Sequence, residues 1–148
     1  MARAPTQAAR RNAEKLAARA RRMRNLQAPA VATAAKIRAD IDSAYDRRAE
    51  PGGRKWRKLK YRKEPPPTLQ LTGESRASIK VTASRGNLRF YAMDRLYWHM
   101  EGIPANNVPA RNPTPFRQDE RTGAWVAKPG LLRSHNAAIK RWIEKGTV

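Results

Sequence analysis

Between Ser78 and Ala92 the apolar residues fall on every second position. Ile79, Val81 and Ala83 come first; after the Ser84–Asn87 turn, Leu88, Phe90 and Ala92 follow. A period of two lays one face of an extended chain against a core, so a β-hairpin is expected over about 78–93. Elsewhere the period is three or four. Ala34, Ile37, Ile41, Ala44 and Tyr45 share a face of a helix expected from about 30 to 48. Leu131, Leu132, Ala138, Ile139, Trp142 and Ile143 are the apolar set of a closing helix over 131–145. Both periods within one chain of 148 residues imply an α+β fold: a basic N-terminal helical arm, a small antiparallel sheet built around the hairpin, and a C-terminal helix.

The arm begins with residues 6–27, which contain no Gly or Pro and are dominated by strong helix formers. Ala9, Ala13, Leu16, Ala20 and Met23 make a thin stripe along it, too poor in large side chains to bury much area without a neighbour. Pro29 is expected to break this helix from the next, and Pro51-Gly52-Gly53 to stop the second. The chain therefore divides into an arm, 1–50, and an α+β domain, 51–148, with a proline-rich loop at 102–116. Within that domain Leu59 and Tyr61 alternate with cations, which suits partly extended chain, and Thr72 is placed to cap a helical turn across 73–78. Residues 93–100 suit a short helical turn, and 123–128 a strand opposed by the Thr114–Phe116 region.

Charge is distributed unevenly. The net +20 comes from 32 Lys and Arg against 12 Asp and Glu. Residues 1–39 hold ten basic side chains and one acid, 51–65 hold seven and one, and the other 94 residues are nearly balanced with 15 and 10. Such segregation implies attraction to a polyanion or an acidic protein surface. The contact residues expected are Arg10, Arg11, Arg19, Arg21, Arg22 and Arg24 in the arm, and Arg54, Lys55, Arg57, Lys58, Lys60, Arg62 and Lys63 after it. The Arg- and Ala-rich start lacks the Ser content of a transit peptide and the apolar core of a secretory signal, so a structural arm is expected. No apolar run reaches the roughly 20 residues of a membrane span, and no membrane partner is expected.

Catalytic chemistry finds little support. Cysteine is absent, which excludes disulfides, thiolate nucleophiles and Cys-ligated zinc. His99 and Glu101 form His-x-Glu, but the Cys pair that accompanies it in zinc deaminases is missing. His135, the other histidine, lies far along the chain. No phosphate loop, nucleophile elbow or paired-carboxylate pattern occurs, so neither enzyme activity nor a cofactor is expected. His99 is read as a hydrogen-bonding residue that locks the proline loop, and Tyr97 and Trp98 as core aromatics in preference to a stacking platform. Trp56 and Tyr61, set among cations, fit either base stacking or a partner-facing strand.

Three segments in order carry a resemblance: "PGGRKWRKL" (51–59), "LQLTGESRASI" (69–79) and "HMEGIPANNVPARNP" (99–113). Together they resemble the virion-morphogenesis, or tail-completion, proteins of Mu-like and related tailed phages. The positions that match the family pattern are Pro51, Gly53, Trp56, Leu59, Thr72, Gly73, Ser78, Ile79, His99, Gly102, Pro109, Ala110 and Arg111. The chain departs from it at Ser75, Met100 and Glu101, and in the spacing of its tyrosine from His99. The resemblance implies a non-enzymatic structural subunit that forms a ring, six-fold like the tail, at the head–tail junction. Its partners would be the portal or connector and the tail-terminator or tail-tube proteins, with the genome as a non-specific contact. Trp56, Leu59, Thr72, Gly73, His99, Gly102, Pro109 and Arg111 would then be subunit or partner contacts. A stiff loop suits that role because it loses little entropy on docking. The basic arm is expected to meet acidic protein surfaces in preference to DNA, since a channel that grips the genome would hinder its ejection. The alternative is a stand-alone nucleic-acid-binding protein of ribosome- or nucleoid-associated type.

Overall fold

The computed structural model describes residues 6–56, 73–102 and 110–148. In chain order its elements are α1 (Gln7–Arg24), α2 (Gln27–Arg47), α3 (Glu74–Ser78), β1 (Lys80–Ser84), β2 (Asn87–Tyr91), α4 (Asp94–Glu101), β3 (Phe116–Gln118), β4 (Trp125–Ala127) and α5 (Pro129–Lys145). The class is α+β, as the two periods require. The described strands form two separate antiparallel pairs, β1 with β2 and β3 with β4, where a single small sheet was expected.

α2 is the element on which the body is built. Ile37, Ile41 and Tyr45, four residues apart and so on one face, meet Ile79, Leu96, Met100 and Leu131 in one cluster. Ile41 and Tyr45 are wholly buried, and each such side chain removed from water contributes on the order of 1.5–3 kcal/mol. α2, placed in the arm by the division expected at residue 50, thus supplies much of this core, whereas α1 has no buried residue.

The break between the two helices also moves. It falls at Asn25–Leu26, and Pro29 sits in the first turn of α2. That turn's N–H groups have no intrahelical acceptor, so a residue without one is tolerated there. At its other end α2 stops at Arg48, as expected, and that residue adopts a left-handed conformation with φ 51° before Pro51-Gly52-Gly53 is reached. The glycines instead fold the chain back: Gly53 N–H donates to the Glu50 carbonyl at 2.9 Å, and Ala49 pairs with Lys55.

The hairpin forms as the alternation demands, with Val81 opposite Phe90 and Ser84 opposite Asn87. Its two-residue turn uses Arg85 at φ 51° and Gly86 at φ 80°, the paired positive angles that match the twist of the strands. Gln27 clamps this turn to the start of α2. Its Oε1 accepts from Gly86 N–H at 3.1 Å, and its Nε2 donates to the Ala83 carbonyl at 3.1 Å.

Beyond the hairpin, α4 and the β3–β4 pair cover the core from the other side. Phe116 stacks on Phe90 with centroids 5.3 Å apart, and Trp125 on Tyr97 at 6.3 Å. α5 buries Leu131 and Ala138, while Leu132, one helical step on, turns outward and is 49 % exposed. α3 begins after Gly73, at φ 69° and with no side-chain cap. Thr72, named as that cap, lies outside the described residues, as does the extended chain expected beyond Trp56.

Candidate functional site

Three places hold the residues singled out from sequence: α1, the chain around His99 and Arg111, and the turn at Pro51–Trp56. Of the expected contact residues, Arg57, Lys58, Leu59, Lys60, Arg62, Lys63, Thr72 and Pro109 lie outside the described residues.

α1 has no buried residue. Thr6 caps its first turn, with its hydroxyl oxygen accepting from Ala9 N–H at 3.3 Å. The stripe is uncovered by the described body: Leu16 is 64 % and Met23 60 % exposed. Among the described residues, only the C-terminal end of α1 is fastened. There Trp142 of α5 donates from Nε1 to the carbonyls of Asn25, at 2.8 Å, and Arg22, at 3.2 Å. Arg22 reaches the opposite way and donates from Nη1 to the carbonyls of Ile143 and Glu144, at 3.2 and 3.3 Å. The last carbonyls of a helix lack intrahelical donors and carry its negative end, so a guanidinium is well placed there. Arg22 is thus a structural latch, half-buried between two helices. Arg10, Arg11, Arg19, Arg21 and Arg24, by contrast, are exposed, as are Arg54 and Lys55.

The proline loop is closed at its ends. Arg111 N–H donates to the His99 carbonyl at 2.7 Å, which sets the residue after the loop against α4. The His99 side chain does not supply the lock expected of it. Its Nδ1 is buried and has no hydrogen-bond partner among the described residues. Burial, and then the Arg111 charge, hold its pKa below the usual 6.5. Arg111 is only 4 % exposed, and burial lowers its pKa as well. Within this one chain the guanidinium is enclosed in the body, where sequence reading had placed it as a partner contact. Gly102, at φ 81°, ends α4 by donating its N–H to the Trp98 carbonyl at 2.8 Å.

Two residues after the loop were not anticipated. Asn112 Oδ1 accepts from the Thr114 N–H at 2.8 Å and its hydroxyl at 2.7 Å, while Asn112 Nδ2 donates to the Phe116 carbonyl. Both side chains are buried. The signal was present in Asn-Pro-Thr-Pro, since a short amide side chain bonding two residues on makes a turn of its own.

The aromatics divide. Tyr97 packs against the core and, with Phe90, Met100, Phe116 and Trp125, lines a cavity of about 220 Å³. Trp98 faces out, 58 % exposed. Trp56 lies edge-on to Tyr45 with centroids 5.8 Å apart and an interplanar angle of 89°, a core contact that leaves it unsuited to base stacking. Gly73, Ser78 and Ile79 lead from α3 into β1. The Ser78 hydroxyl donates to the Ser75 carbonyl at 2.9 Å and accepts from Met93 N–H at 3.2 Å.

A charged network missed in the sequence ties α2 to α3. Arg76 pairs with Asp42 at 2.9 Å and Asp46 at 2.8 Å, and Arg38 pairs with Asp42 at 3.0 Å. Burial pushes the Asp42 carboxyl up, but its two guanidinium partners outweigh it and hold the pKa below the ordinary value. Nothing local links these residues, since Arg76 lies thirty or more positions after Asp42 and Asp46.

No group of three or more potential ligands able to hold a metal ion occurs among the described residues. None of the described helices is long and apolar enough to cross a membrane. Compared with protein-family models, curated proteins and solved structures, the chain matches none.

Proposed function

We propose that this chain is a structural virion subunit of the tail-completion or neck type, assembling as a ring at a phage head–tail junction and joining the capsid connector to the tail. One observation carries the reading: the three resembling segments, separate in sequence, meet at one core. Trp56 from the first, Ile79 from the second and Met100 from the third pack in or against the same cluster as Tyr45. A shared packing role gives these segments a physical reason to recur in order. Portal or connector proteins on one side and tail-terminator or tail-tube proteins on the other are the partners this reading names. Its site of action is the virion.

Loss of the gene tests the reading. A phage lacking it should fill its heads and complete its tails, yet leave the two unjoined in electron micrographs, and the full-length chain supplied in trans should restore joining. Normal virions without the gene would overturn the reading.

A further inference from the structure

We infer that α1 is a duplex-nucleic-acid-binding helix whose exposed cations engage the phosphate backbone without reading sequence. The inference stands on α1 alone and does not depend on the neck reading. Spacings of four, four and three place Arg11, Lys15, Arg19 and Arg22 in one row along the helix. The row ends on the body, where Arg22 is consumed in binding the α5 carbonyls. Arg11, Lys15 and Arg19 continue it outward and are exposed. Arg10, Arg21 and Arg24 share an adjoining face, so the cations cover more than half the helix circumference at 100° per residue. None of these six forms an ion pair among the described residues, and the helix contains a single acid, Glu14.

Charge spread so broadly fits a partner whose own charge is dense and continuous. A protein groove would instead grip one face through large apolar anchors, and α1 offers only Leu16 and Met23 for that purpose. Duplex nucleic acid presents one negative charge per roughly 1.7 Å of its axis, and cations that neutralise it release condensed counterions. Among the described residues α1 is attached at its C-terminal end alone, and none of its 18 residues, about 27 Å of helix at 1.5 Å per residue, is buried.

The test measures binding of the full chain to two unrelated 30-base-pair DNA duplexes by fluorescence anisotropy across a salt series. One variant replaces Arg10, Arg11, Lys15, Arg19, Arg21 and Arg24 with Gln, and Arg22 stays. Gln is a good helix former, so α1 should persist, which circular dichroism checks. A control carries the same charge change on exposed residues elsewhere: Arg117, Arg121, Arg133, Lys140, Arg141 and Lys145 to Gln. A third variant, with Arg10, Arg11, Arg19, Arg21 and Arg24 changed to Lys, keeps the charge. Wild type should bind both duplexes alike, with a log–log salt slope steepened by about 0.9 per neutralised phosphate. The arm variant should lose at least tenfold in affinity at 0.1 M salt and flatten the slope by about three or more, while the control and the Lys variant stay within about threefold of wild type. Equal losses in arm variant and control would reduce the effect to net charge and overturn the assignment. So would an unchanged arm variant, or an arm variant that still binds DNA but no longer supports head–tail joining, which would place the face on protein.

Discussion

At the scale of single residues, the most informative pair is His99 and Arg111. The resemblance implied partner contacts at both, and the residues themselves suggested His99 as a side-chain lock on the proline loop. In the fold Arg111 is buried and His99 half-buried, and what joins the two is main chain, Arg111 N–H to the His99 carbonyl. A backbone bond cannot be read from residue types, which is why the side chains were given the role. The burial has a measurable consequence. Because the folded protein holds His99 below its ordinary 6.5, the unfolded chain takes up that proton first as pH falls. The stability conferred by a neutral His99 is therefore complete above about pH 6.5 and is lost progressively below it, with a slope of at most about 1.4 kcal/mol per pH unit for one proton. Asp42 acts in a separate window, since its lowered pKa removes stability only below the ordinary 3.8. Urea midpoints measured from pH 8 to pH 5 should fall for the wild type, and His99→Gln should flatten the fall. An unchanged profile in the variant would show that His99 does not control it.

At the scale of elements, legibility followed how local the cause was. The hairpin was readable because alternation and a glycine turn lie within fifteen residues, and α5 because its apolar set repeats over four turns. The end of α2 near Arg48 was readable too, though not the left-handed conformation in which Arg48 caps it, uncommon for a side chain with a Cβ. Its start was not, because Pro29 is absorbed in the first turn, an outcome that depends on the packing of α2 at the centre of the core. The joint between α1 and α5 could not be read at all, since Arg22 and Trp142 are 120 residues apart. That joint is nonetheless the sole fastening seen for α1 among the described residues, so its removal should act on the arm and spare the body. Trp142→Phe keeps the ring but deletes the two Nε1 bonds, a loss of roughly 1 kcal/mol. Hydrogen exchange should then accelerate in α1 while the amides of α2 and the hairpin keep their protection. Equal acceleration throughout would mean that the joint supports the whole fold.

At the scale of the whole molecule, the described body closes on itself and the arm does not. Ile37, Ile41, Tyr45, Ile79, Leu96, Met100 and Leu131 satisfy one another, while Leu16 and Met23 remain in solvent. The proposal that the chain is a ring subunit is tested most directly by native mass spectrometry of the full chain, alone and after mixing with the portal and tail-tube proteins that the proposal names as partners. The account predicts one discrete closed oligomer, an integer multiple of the 16.8 kDa chain and six-fold if it follows tail symmetry, formed alone or on those partners. A monomer or dimer under both conditions would contradict it.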